Sequence, residues 1–185
     1  MNRLTTFLLI TFTFGVTNAQ TIFTSNDTIF KNIITKYELI HDNLMSYDTT
    51  RIDISDESTE GSEAIAFYDG NNIKLIEVLW FGETGKRKTE YYFDNGQLFY
   101  AFDNEYDYNR PIYWDSIKAK ETNDNEIYDP NKTTVKVDRY YFSNGKLITW
   151  VDNDKKEVDL LLGTNTLVGQ GLIAHSSKVK DKFKK

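Results

Sequence analysis

YYFDNGQLFYAF occupies residues 91–102, and YYFSNGKLITWV follows at 140–151. Each sets an Asn-Gly pair between runs of aromatic and aliphatic residues. A two-residue Asn-Gly loop is the strongest short-range signal for a β-hairpin. The type I′ turn needs positive φ at both central positions, which Asn tolerates and Gly accepts without steric cost. With turns at Asn95-Gly96 and Asn144-Gly145, simple alternation predicts Phe93 opposite Leu98, Tyr91 opposite Tyr100 and Thr89 opposite Phe102. The second copy then sets Phe142 against Leu147 and Tyr140 against Thr149. The other face receives Tyr92, Phe99, Tyr141, Ile148, Arg139 and Trp150. Rings on both faces argue against a sheet with one side open to water.

A looser third copy, AIAFYDGNNIKLIEVLWF at 64–81, carries Asp69-Gly70 in what reads as a slightly longer loop, and GETG at 82–85 turns the chain again. The expected strands are 63–68, 73–81, 87–93, 98–106, 134–142 and 147–152. Hairpins in succession make an antiparallel meander. Upstream, Phe30, Ile33, Ile34, Tyr37, Ile40 and Leu44 recur at helical spacing over 28–44, with Ser25, Asn26 or Asp27 available as a cap. Downstream, Val168, Leu172, Val179 and Phe183 share one side of a helix over 164–183, although Gly169 and Gly171 each cost it about 1 kcal/mol. The expected class is α+β: an antiparallel β-meander of about six strands with an N-terminal and a C-terminal helix, a helix packing on one face.

The first residues belong to a different category. Arg3, the apolar run from Phe7 to Val16 and Thr17-Asn18-Ala19 have the order of a secretory signal cut after Ala19. The run is about half the roughly 20 residues a membrane helix needs. The expected organisation is a signal peptide at 1–19 and a single domain at 20–185, exported to the periplasm or beyond. No integral membrane segment is expected once the signal is removed. The chain has no cysteine, so disulfides and thiol chemistry are excluded and packing must hold the domain together. Aromatic residues, 15% of the chain, can supply it. Without Arg3, 21 basic and 28 acidic side chains leave a net charge of −7. Such a surface repels phosphate backbones, so nucleic acid is not an expected partner.

The recurrent Tyr-Tyr-Phe-x-Asn-Gly-x-Leu hairpin resembles the bacterial variant of MORN repeats over 63–102 and 134–152. The whole mature chain, with NRPIYWD at 109–115, also resembles small secreted bacterial proteins of unassigned activity. The Gly-rich spacing of eukaryotic MORN repeats is absent, so their lipid binding does not carry over.

Chemistry has few places to reside. The long loop at 110–133 exceeds the roughly 12–15 residues beyond which loops tend to be functional or disordered. Tyr113 and Trp114 beside Arg110 form either an aromatic platform for a sugar or peptide or a plug for the open edge of the sheet. Tyr92, Tyr141 and Trp150 are the candidate ligand-facing rings of the sheet. Alternation puts Asp103, Glu105 and Asp107 on one strand face, where carboxylates suit a cation or a glycosidase but are by default a solvated face. His41 and His175 each fall in the apolar stripe of a helix, and two imidazoles do not complete a zinc site. No nucleophile, zinc or phosphate-loop motif is present. The terminal SSKVKDKFKK is basic; its lysines suit a helix C-terminus, and an acidic partner is a further use. The expectation is a non-catalytic binding module without cofactor or metal, for a protein, peptide or glycan. The alternatives are a carboxylate-dependent hydrolase of envelope polysaccharide and an immunity-like partner of another secreted protein.

Overall fold

A computed structural model describes residues 19–55 and 58–184, with side chains from Thr28 onward. The expected signal segment therefore lies outside the described residues, except for Ala19. Helix α1 runs Ala19–Asp42 and continues through Ser25, Asn26 and Asp27, so none of these caps it as the sequence suggested. After a 3-10 turn at Leu44–Ser46 come β1 (Asp48–Asp53), β2 (Ser62–Asp69), β3 (Asn72–Phe81), β4 (Gly85–Asp94) and β5 (Gln97–Asp107). A short helix α2 (Ser116–Glu121) precedes β6 (Thr134–Ser143), β7 (Lys146–Val151) and the last helix α3 (Asn165–Lys182). The seven strands pair antiparallel in sequence order, β1 to β7. The meander and both terminal helices are as expected. The seventh strand, β1, is an addition, and nearly all of its residues are exposed.

The turns are those the sequence spells. Asn95 and Gly96 have φ of 49° and 75°, Asn144 and Gly145 of 50° and 71°, the type I′ requirement in both copies. The third hairpin is tighter than expected: Asp69 pairs with Asn72 across Gly70-Asn71, with positive φ at Gly70. The register departs from simple alternation one pair inside each turn. Phe93 opposes Leu98, but Tyr92 opposes Tyr100 and Thr89 opposes Asp103. In the second copy Phe142 opposes Leu147, whereas Tyr141 opposes Thr149 and Tyr140 opposes Trp150. The same shift falls between Phe67 and Tyr68. Each hairpin thus carries a bulge, which adds local right-handed twist to the ribbon.

Both sheet faces are covered, by different helices. Ile33 and Ile40 of α1 pack with Leu75, Tyr92, Phe99 and Tyr100. Val179 of α3, with Val168, Leu172 and Phe183 around it, packs with Ile76, Val78, Tyr91, Phe93 and Phe142 on the other side. The sequence placed a helix on one face only; here a helix covers each, because alternation along the strands sends large rings both ways. Full burial of one such ring is worth roughly 1.5–3 kcal/mol. Gly169 lets α3 approach closely: a Cβ there would lie 2.5 Å from the Cβ of Leu147.

A meander places alternate connections at opposite ends. The three two-residue turns gather at one end, with the C-terminus of α3. The other end carries the connections at 54–61, 82–84 and 108–133.

Candidate functional site

The excursion at 108–133 is built as a fixed structure. Its backbone joins the β3–β4 turn where Tyr108 N–H donates to the Thr84 carbonyl and Ile112 N–H to that of Glu83, both at 2.9 Å. Asp115 caps α2 by accepting from the N–H groups of Ile117 and Lys118 at 2.9 Å. Asp129 caps the turn at Pro130–Lys132 through Asn131 N–H. A side-chain clamp closes the base. Arg110 Nε and Nη2 donate to the two oxygens of Asp124 at 2.6 and 3.1 Å, and Glu126 lies 3.4 Å from Nη1. Asn109 ties the start of the excursion to its end, donating to the Ile127 carbonyl and accepting from Asp129 N–H. The rings of Tyr108 and Tyr128 meet edge to face at 5.4 Å. Hydrogen bonding from Arg110 pulls the Asp124 carboxyl down to about 2. The guanidinium is therefore engaged within the excursion as a clamp.

Among the largely polar residues that this frame exposes stand several large apolar ones. Ile112 is 55% exposed, Tyr113 51% and Ile117 66%, and Ile127 is also exposed. Tyr113 and Trp114 sit side by side, ring centres 6.3 Å apart, with Trp114 half-buried. Trp114 does not plug an edge of the sheet. The edges are β1 and β7, and the excursion leaves from between two inner strands. Sequence reading found Tyr113 and Trp114 but passed over Ile112, Ile117 and Ile127, although branched apolar residues recurring in an otherwise polar loop were a usable signal.

The three ring candidates on the sheet have different situations. Tyr92 is 1% exposed beneath α1, its hydroxyl donating to Glu90 at 2.6 Å, so it offers no surface. Burial, with Glu90 alongside, pushes its pKa far up. Tyr141 packs against Phe30 of α1 and Tyr100. Trp150 leans on Tyr140 at 5.4 Å on the opposite face. These rings do not converge on one site, nor do they meet Arg110, Tyr113 and Trp114.

The acidic strand face is more organised than a solvated one. Asp103 is 6% exposed, gripped by Arg87 through three contacts of 2.6–3.0 Å and by the Thr89 hydroxyl at 2.7 Å. Glu105 and Asp107 share Lys136, at 3.7 and 2.9 Å. Strand pairing sets Asp138 opposite Asp103. Together with Glu105, Trp150 and Asp152 they line a cleft of about 380 Å³. Burial first, then the charges of Asp103 and Asp152, push the Asp138 carboxyl up. The Trp150 indole N–H, buried and without a well-formed hydrogen bond, still lies close enough to offset part of that rise. Asp138, Asp152 and the partners of Asp103 come together only through register, which no local pattern announces. Among the described residues, no group of three or more His, Asp or Glu is disposed to hold a metal ion.

The histidines do not face one another, since the sheet lies between their helices. His41 is exposed and stacks on Tyr37 at 5.6 Å. Nδ1 of the half-buried His175 meets the Tyr91 hydroxyl at 2.8 Å, beside Trp80.

Among the described residues no helix is long and apolar enough to cross a membrane. Compared with known protein families, curated proteins and solved structures, the chain matches none. Its class rests on its own geometry: an α+β antiparallel meander with a helix on each face.

Proposed function

We propose that the protein is an exported, non-catalytic binding module that docks a partner protein through the excursion at 108–133. The observation that carries this is a cluster of exposed apolar side chains, Ile112, Tyr113 and Ile117, on a segment held by charged and backbone contacts. Exposed apolar groups that are not needed for packing mark interaction sites when they cluster. A fixed frame lowers the ordering cost of binding. Export rests on the signal-like residues 1–19, and the partner would share that compartment. The MORN-like and immunity-like readings are narrower forms of the same proposal.

A photo-crosslinking residue at Ile117, compared with one at the exposed Met45 near the opposite part of the chain, tests it in the producing cell's envelope. The expected result is one discrete adduct from position 117, absent from 45 and lost on Ile112→Asp with an unchanged Tm. The same adducts from both positions, or none, would overturn the docking role.

A second reading has one observation in its favour. The cleft brings Asp103, Glu105 and Asp138 together with carboxyls in unlike environments, the condition for an acid and a base. A carboxylate-dependent hydrolase would release reducing ends from envelope polysaccharide and lose that release in Asp138→Asn. Absence of any release by the unaltered chain sinks this reading.

A further inference from the structure

At the end of the sheet opposite the excursion, two hairpin turns and the C-terminus of α3 enclose a cavity of about 390 Å³. That lies within the range of about 300–1,000 Å³ usual for small-molecule sites. Its chemistry is the reverse of the protein's net charge of −6: the charged side chains lining it are Lys74, Lys180 and Lys184. Lys180 is fixed in place, its ammonium donating to the Gly96 carbonyl at 2.6 Å and lying 5.0 Å from the Phe93 ring centre. The other two are paired with neighbouring carboxylates. Lys74, itself largely covered, stands 3.7 Å from the exposed Asp69, and Lys184 meets Asp181 at 2.7 Å in a largely exposed pair. Surface pairs of this kind are worth about 0–1 kcal/mol, so a ligand anion can compete for the ammonium groups.

Two further sets of groups narrow the ligand. Asn71, Asn72 and Asn95, in or beside hairpin turns, bring amides that both donate and accept, the complement of a row of hydroxyls. Tyr68, Ile73 and Phe183 give the cavity an apolar wall. Anion, hydroxyls and a flat apolar face describe a sugar ring carrying an acidic group. A long polyanion, reaching past the cavity, would meet the repulsion of a chain with net charge −6. We infer that this cavity binds an acidic saccharide of the uronate class. The inference is independent of docking through the excursion, since it uses residues at the other end of the sheet.

The test titrates the mature chain with glucuronate, glucose and inorganic phosphate, following backbone amide shifts by NMR. Glucuronate is expected to saturate shifts at Asn71, Asn95 and Gly96 at or below about 10 mM. Lys74→Gln, at the bulge in β3, and Asn71→Ala, in the turn before it, are each expected to weaken it at least about fivefold with Tm unchanged. Glucose should bind at least about tenfold more weakly. Equal binding of glucose removes the role of the lysines. Equal binding of phosphate, insensitive to Asn71→Ala, reduces the cavity to a cationic patch, and no shift with any of the three removes the site.

Discussion

Arg110 and Asp124 show how a single pair decides whether a loop is a surface or a tether. The folded Asp124 carboxyl titrates at about 2, below the roughly 3.9 of an unfolded aspartate. Its stabilising share is therefore complete above the unfolded value and disappears as pH falls from about 3.9 towards 2. In Arg110→Ala the carboxyl should titrate higher by NMR, though still below the unfolded value, because Glu126 N–H continues to donate to it; an unchanged midpoint would mean the clamp is not what lowers it. Asp138 has the opposite sign. Burial raises its folded pKa, so ionisation destabilises the fold as pH rises through that value. Asp138→Asn should accordingly raise Tm at pH 7 and lose this advantage below the ordinary carboxylate range. Thr89→Val removes one hydrogen bond to the buried Asp103 and should cost about 1.5–3 kcal/mol in denaturant unfolding. The sequence showed Asp103, Glu105 and Asp107 on one face, because alternation is local. It could not show Arg87, Thr89 or Asp138, whose approach depends on strand register.

At the level of elements, the Asn-Gly turns were readable because φ > 0 is a property of the residues themselves. Pairs next to each turn were right and pairs beyond were off by one, since the bulge inside each hairpin inserts one residue that no local pattern marks. Strand β1 was missed for a related reason. Its residues, DTTRID, lie almost wholly exposed at an edge and show no apolar alternation. The glycines of α3 illustrate the same limit. Gly171→Ala meets nothing within 4 Å and should stabilise by about 1 kcal/mol, as helix propensity alone says. Gly169→Ala meets the Leu147 Cβ at 2.5 Å and should destabilise by about 1–3 kcal/mol. If both substitutions shift the thermal midpoint upward, the close approach of α3 to β7 is wrong.

For the whole molecule, rings on both faces foretold that neither side of the sheet lies bare, yet periodicity could not say that α1 and α3 take opposite sides. That division follows from which rings each helix meets: Tyr92 and Tyr100 for α1, Tyr91 and Phe93 for α3. It also removes Tyr92 from any binding role, since α1 covers that ring. Every strand neighbours its predecessor in sequence, so nearly all pairings close short loops. The exception is β5 with β6, separated by the 26 residues from 108 to 133. Zippering from either side should stall at that one joint, where the closure entropy is largest. A chain in which 110–131 is replaced by a four-residue turn should refold faster in stopped-flow, while its unfolding rate changes little. The segment proposed to recruit a partner would then also be the one that sets the tempo of maturation.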